Sequence, residues 1–238
     1  MKTPVHYDSL RQSVALAFMD EGAVLTRDSI HPRVITRPNG ERGFILQLHE
    51  KNPDAPLSPY FFNLRTPNNP NPGPLTPEIV QMGADCLHSL AFRENLQYAR
   101  VAGVPNAGDP FAQEFAGIPF VTQRLQLVKG KKDGKRAITG IDGEIPQKGT
   151  RVLLLDDLIT TAGSKVLAIK VLEDHGLVVE DVLVLIDREQ GGHEELRKAG
   201  YRLHSVFTMT ELFGIYRDSG KISPELYADS MTYKAANG

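Results

Sequence analysis

The sequence predicts an α/β fold in which a twisted parallel sheet is flanked by helices and carries a small hood subdomain. Two apolar runs, Val152–Leu155 and Val182–Ile186, have the length and composition of strands that are buried on both faces. A segment of helical periodicity lies between them and ends near Gly176. A strand, a helix and a second strand in this order almost always form a right-handed parallel crossover unit. The inward face of this helix is predicted to comprise Val166, Ile169 and Leu172.

The hood is predicted from a short hairpin that precedes the sheet. Val34–Thr36 and Phe44–Leu46 have the composition of short strands, and Pro38–Gly40 between them is typical of a turn. A chain of 238 residues fits a single domain with a small appended part. We therefore expect one domain over 1–238, with the hood at about 23–65 and the core sheet at about 99–207.

Capping residues and apolar periodicity predict the remaining elements. Thr76 followed by Pro77 is typical of a helix start, and Cys86 lies on the apolar face of that helix. We expect Cys86 to be a buried, unreactive thiol rather than a nucleophile. The other predicted elements are helices at 8–22, 110–116 and 194–198, strands at 99–104, 118–122 and 203–207, and two C-terminal helices capped by Thr210 and Ser223.

Bulk composition limits the class of protein. Hydrophobic residues make up 41% and charged residues 24% of the chain, as in ordinary globular proteins. A net charge of −2 argues against a broad nucleic-acid-binding surface. A single cysteine permits no internal disulfide, and the seven histidines form no spaced cluster, so no protein-held metal is predicted. Because no segment has the apolar length of a membrane span or signal peptide, we expect a cytoplasmic location and no membrane partner.

The segment Arg151–Ser164, RVLLLDDLITTAGS, places two carboxylates and a small hydroxyl-rich turn directly after a buried strand. Ligands of open parallel sheets bind beyond the carboxyl ends of the strands. Asp156 and Asp157 could accept hydrogen bonds from sugar hydroxyls, and the start of the next helix suits a phosphate. The implied ligand is a ribose 5-phosphate group; the alternative is a capped helix with solvated aspartates. The predicted phosphate contacts are Thr160, Thr161, Ala162, Gly163 and Ser164.

A basic segment at 129–148, KGKKDGKRAITGIDGEIPQK, lies directly before this acidic strand. Basic runs are commonly solvated loops. The position of this one favours a mobile lid whose cations neutralise a polyphosphate leaving group. The candidate cations are Lys129, Lys131, Lys132, Lys135 and Arg136.

The segment 151–164 closely resembles the phosphoribosyl-pyrophosphate (PRPP) signature of type I phosphoribosyltransferases. SPYFFN at Ser58–Asn63 and DREQGG at Asp187–Gly192 resemble the orotate phosphoribosyltransferase branch, and GVPNAG at Gly103–Gly108 keeps the order of that family. The resemblance covers most of the chain from about Phe44 to Phe207.

The resemblance implies a transferase that converts orotate and PRPP to orotidine 5′-monophosphate and pyrophosphate. It also implies Mg²⁺ carried by PRPP and a homodimer whose lid reaches into the partner's site. On composition alone, the aromatic run would be core packing and the Asp-Arg-Glu turn a surface ion pair. The implied catalytic residues are Lys129, Lys132, Asp156 and Asp157. Asp156 and Asp157 would bind the ribose, Thr160–Ser164 the rest of PRPP including its 5-phosphate, and Lys129, Lys131 and Lys132 the pyrophosphate. The implied orotate contacts are Phe61, Phe62, Thr160 and Arg188.

Three departures from the family's pattern keep alternatives open. Val128 and Gly134 stand where the family's lid has an arginine and a histidine, and Gln47 or Lys51 stands where the family has a base-contacting lysine. The altered segment before Ser58 motivates a transferase for another base. The altered lid motivates a non-catalytic PRPP- or nucleotide-sensing protein.

Overall fold

The computed structural model describes residues 4–118, 123–132 and 134–237, and these form an α/β structure. The helices are α1 (Pro4–Asp20), α2 (Pro77–Arg93), α3 (Asp109–Gly117), α4 (Gly163–Asp174), α5 (Gly192–Lys198), α6 (Met209–Asp218) and α7 (Pro224–Ala236). The strands are β1 (Val24–Thr26), β2 (Ile35–Thr36), β3 (Arg42–Gly43), β4 (Tyr60–Phe62), β5 (Arg100–Gly103), β6 (Gln123–Lys132), β7 (Lys135–Asp142), β8 (Val152–Ile159), β9 (Asp181–Asp187) and β10 (Arg202–Thr208).

The main sheet contains six strands in the order β10-β9-β8-β5-β6-β7. Its first five strands are parallel, and β7 pairs with β6 in the antiparallel direction. Two small antiparallel sheets, β1-β4 and β2-β3, are separate from it. The predicted parallel sheet flanked by helices is therefore confirmed.

The central strand β8 is buried on both faces, which explains its continuous apolar sequence. Leu153 and Leu155 pack in a core shared with α1, α2, α3, α6 and α7. Val152 and Leu154 pack in a second core with α4. Two helical layers thus hold β8 rigidly, so that the residues at its carboxyl end have fixed positions.

Predictions of one strand, one helix face and one helix cap were wrong. The hood hairpin forms, but its second strand is β3 rather than 44–46, and Phe44 instead bridges Ser58. Val166 is 36% exposed, because Lys165 takes the inward position beside Ile169 and Leu172. The cap of α6 is Thr208 rather than Thr210; its hydroxyl accepts a hydrogen bond from the N–H of Glu211.

The basic segment is more regular than a loop. Most of it lies in the antiparallel hairpin of β6 and β7, with a register shift between Val128 and Lys129. Backbone pairing of this kind does not require the apolar periodicity that the segment lacks. The predicted strand at 118–122 falls almost entirely on 119–122, which lie outside the described residues.

No helix in the described ranges is long and apolar enough to cross a membrane.

We predict that Cys86 resists alkylation in the folded protein. Its thiol is fully buried in α2, and burial raises the pKa of Cys86 to about 12. At pH 8 the reactive thiolate should be roughly a thousandfold scarcer than in an unfolded chain. Iodoacetamide labelling followed by mass spectrometry checks this, with guanidinium-unfolded protein as the control. Rapid labelling of the native protein would contradict it.

Candidate active site

Loops from three adjacent strands meet at the carboxyl edge of the sheet. The N–H of Val104, after β5, donates to the carbonyl of Leu155 at 2.9 Å. The N–H of Arg188, after β9, donates to the carbonyl of Ile159 at 3.0 Å. Both loops are thereby attached to β8, and the three parallel strands create one shared cleft edge.

The acidic pair lies within β8 rather than directly after it as predicted, because the strand continues to Ile159, and both carboxylates are buried. The N–H of Asp157 donates to Oδ1 of Asp156 at 2.9 Å, and the N–H of Leu158 donates to Oδ1 of Asp157 at 2.8 Å. Burial, and then the neighbouring charge of Asp156, raise the pKa of Asp157 well above its usual value. Two carboxylates in this setting favour sharing a proton unless a cation compensates them.

A cation does contact the pair and opposes this proton uptake: it is Lys165, which was not predicted as a site residue. Its Nζ lies 2.6 Å from Oδ2 of Asp156 and donates to the carbonyl of Leu158 at 2.6 Å. The available signal was helical spacing, since Lys165 stands four and seven residues before Ile169 and Leu172. Because a buried ammonium needs a compensating charge, a lysine on this apolar face would have predicted a buried carboxylate beside it.

Charged residues flank the loop at Gly103–Gly108. Asp109 follows it at the start of α3, and burial raises the pKa of its carboxyl group despite the nearby guanidinium of Arg124. Lys129 of β6 donates from Nζ to the carbonyl of Pro105 at 3.3 Å. Lys129 therefore lies beside this loop and interacts with the charge of Asp109. Lys131 is exposed.

The side chain of Lys132 lies outside the described part of the structure, as do those of Lys135 and Arg136. Their predicted roles at the pyrophosphate remain predictions.

The predicted phosphate contacts form the start of α4. Ala162 is the N-cap residue, and Gly163 and Ser164 begin the first turn. The N–H of Ala162 donates to Oε2 of Glu195 at 2.8 Å. Glu195, on α5, was not identified from the sequence, because nothing in local spacing brings α5 to α4. Its carboxylate occupies an N–H that was predicted to bind a phosphate.

The structure brings together three of the four predicted base contacts. Nη1 of Arg188 donates to Oγ1 of Thr160 at 3.3 Å, and the guanidinium lies 5.5 Å from the ring centroid of Phe62. Phe61 points to the opposite side of β4, where it stacks on Phe44 at 5.6 Å and lies under the guanidinium of Arg33. Alternation along a strand accounts for this separation of Phe61 from Phe62.

The C-terminal helix α7 supports the loop that carries Arg188. Nζ of Lys234 lies 3.0 Å from Oε2 of Glu189, and the ring of Tyr233 packs edge-on against Tyr60 at 5.7 Å. Tyr60 and Tyr233 are buried, and the guanidinium of Arg188 lies 5.8 Å from the ring centroid of Tyr60. Long-range packing of this kind has no local sequence signal.

In the described residues, no group of three or more histidine, cysteine, aspartate or glutamate side chains could hold a metal ion.

Comparisons with known proteins identify the family. The chain is 33% identical over 147 residues to the orotate phosphoribosyltransferase of Pyrococcus horikoshii. The aligned region covers 60% of this chain and 76% of that protein. The chain belongs to the orotate phosphoribosyltransferase family. It is also 32% identical over 149 residues to the uridine 5′-monophosphate synthase of Caenorhabditis elegans, over 63% of this chain and only 30% of the length of that protein.

The fold comparison agrees with this family. The structure of Leishmania donovani UMP synthase superimposes with a TM-score of 0.68 and 26% identity, covering 94% of this chain and 42% of that chain. No protein-family model matches the chain.

We predict that Gly108→Ala disturbs the site of this family member. A Cβ at Gly108 would lie 2.6 Å from the carbonyl oxygen of Leu155 and 3.0 Å from Cα of Asp156, so the end of β8 must shift. The free energy of unfolding should fall by about 1–3 kcal/mol. Denaturant unfolding checks this. Gly117→Ala is the matched control, since its Cβ would meet no atom of the described residues within 4 Å; equal effects of the two changes would refute the steric argument.

Proposed function

We propose that the protein transfers the phosphoribosyl group of PRPP to orotate, and releases orotidine 5′-monophosphate and pyrophosphate. A bond forms between a ring nitrogen of orotate and C1 of the ribose, while the bond from C1 to the pyrophosphate oxygen breaks. The reaction belongs to the de novo synthesis of pyrimidine nucleotides, and we expect it in the cytoplasm. Family membership supports this reaction as a class.

The observation that carries the proposal is the position of Arg188. Its guanidinium joins Thr160 of the acidic-strand loop to the aromatic face of Phe62. A guanidinium fork matches a planar carboxylate in geometry and charge. Orotate carries a carboxylate, whereas adenine, hypoxanthine and uracil do not. Arg188 therefore favours orotate over these bases.

The sugar would lie between this base site and the start of α4. Asp156 and Asp157 would bind the ribose hydroxyls and stabilise the positive charge that develops as pyrophosphate leaves. The N–H groups and hydroxyls of Thr161–Ser164 would bind the 5-phosphate. This arrangement requires positioning and electrostatics rather than a covalent intermediate.

The pyrophosphate would meet the cations of the β6–β7 hairpin. Lys129 already lies beside the Gly103–Gly108 loop, and Lys131 and Lys132 follow it on the same strand. We propose that Mg²⁺ arrives bound to PRPP, where it neutralises the leaving group. We also propose a homodimer in which this hairpin serves the partner's site.

Orotate consumption tests the proposal. We expect purified protein, PRPP and Mg²⁺ to remove orotate absorbance, and Arg188→Ala to lower kcat/KM for orotate roughly 100-fold, as two charge-assisted hydrogen bonds of about 1.5 kcal/mol each would require. Arg197→Ala, which removes an exposed arginine that pairs with Glu194, is the matched control and should retain activity.

Two outcomes would favour the alternatives. Consumption of uracil or a purine instead of orotate would indicate a transferase for another base. Binding of PRPP in calorimetry without turnover of any base would indicate a sensing protein, for which the missing arginine and histidine of the hairpin give the specific reason.

We predict that Glu195→Gln tightens the binding of PRPP several-fold. The carboxylate of Glu195 accepts the N–H of Ala162 and places a negative charge beside the expected phosphate position. A neutral amide at this position does not repel the phosphate. It also accepts the N–H of Ala162 less strongly than a carboxylate does, so the phosphate competes for that N–H more easily. Titration calorimetry with Mg²⁺ and PRPP measures the change. Glu194→Gln on the same helix, whose carboxylate pairs with Arg197 and Lys198, is the control; weaker binding by Glu195→Gln would contradict the prediction.

A further inference from the structure

Lys165 places a positive charge inside the protein at the acidic end of β8. The side chains of Lys165 and Asp156 are each only 5% exposed, and they lie 2.6 Å apart. The same ammonium donates to the carbonyl of Leu158 at 2.6 Å. A buried ammonium needs a charged partner and well-placed acceptors, and Lys165 has both. Its position is therefore built into the fold.

The carboxyl group that Lys165 holds is half of a closely spaced pair. Asp156 also accepts the N–H of Asp157, and the two carboxyl groups are near enough to hydrogen-bond when Asp157 is protonated. Burial and the charge of Asp156 favour a proton on this pair, whereas the charge of Lys165 opposes it. The protonation of the pair thus depends on Lys165.

Other charged groups face the region of the pair, but no ion pair joins them to it in the described structure. Asp109 of α3 interacts with Asp156 as a like charge, and Lys129 and Arg124 of β6 counter Asp109 rather than the pair. From the neighbouring strand, Asp187 is in register with Ile159, beyond the pair. Among the described residues, Lys165 is the cation in direct contact with the pair.

We propose that Lys165 is a positioning residue for the transfer reaction: its ammonium holds Asp156 in place beside the start of α4 and opposes the uptake of a proton by the sugar-binding pair. The inference rests on the proposed function. Ionised carboxylates accept hydrogen bonds from both ribose hydroxyls and attract the positive charge that develops on the sugar. A pair that kept a proton would do both less well.

The sign of the effect follows from electrostatics. A neighbouring cation lowers the pH at which a carboxylate ionises, so removing Lys165 raises that pH. The acid side of the pH profile of kcat/KM for PRPP should then move to higher pH. Activity should fall most at low pH and recover as the pH rises.

Two variants separate charge from packing. Lys165→Met removes the charge and keeps the length of the side chain, and Lys165→Gln also keeps a donor for the carbonyl of Leu158. We expect both to lower kcat/KM for PRPP at least tenfold at pH 6 and less at pH 9. Lys170→Met, on the exposed side of α4, is the matched control and should keep the wild-type profile.

A second readout does not depend on turnover. Carbon-detected NMR titration of ¹³C-labelled aspartate carboxyls, assigned with Asp157→Asn, should show the midpoint of the pair at higher pH in Lys165→Gln than in the wild type. Unchanged midpoints, or an equal loss of activity at every pH, would overturn the proposal and leave Lys165 a structural role alone. Absence of orotate turnover by the wild type would instead refute the proposed function, while the titration still decides the role of Lys165.

Discussion

Two neighbouring carboxylates are buried within β8, and the protein must compensate their negative charge without help from water. Their mutual repulsion is offset by the ammonium of Lys165, which also binds the carbonyl of Leu158. Removing one partner of a buried ion pair typically costs about 3–5 kcal/mol, so the pair fixes α4 against β8. The start of α4 is therefore held next to the carboxylates, which is the geometry that a ribose phosphate requires.

The same constraint organises the rest of the cleft. Because β8 is central in the sheet, the loops after β5 and β9 attach to its end through backbone hydrogen bonds. Arg188 is positioned by the second of these loops, and α7 supports that loop through the ion pair of Lys234 with Glu189. The predicted base contacts are thus assembled from β4, from the loops after β8 and β9, and from the support of α7.

Much of the fold was predictable because its signals are local. The apolar runs of β8 and β9, the caps Thr76 and Ser223, and the turn before β3 each depend on residues within a few positions. The errors arose where local patterns allow two answers. Val166 and Lys165 are adjacent at the start of α4, and only packing against β8 shows which one faces inward. The basic segment lacks apolar periodicity, yet backbone pairing forms a hairpin from it.

The sequence by itself determined the parallel sheet, the acidic strand with the small hydroxyl-rich turn that follows it, and the family to which the chain belongs. These properties depend on residue type and spacing within short segments, which can be read without knowing how the segments pack together. Only the tertiary structure decided that Phe62 rather than Phe61 faces Arg188, that Glu195 reaches Ala162, and that Lys165 pairs with Asp156. Each of these depends on how separate elements pack against one another, and that packing is set by the two cores around β8.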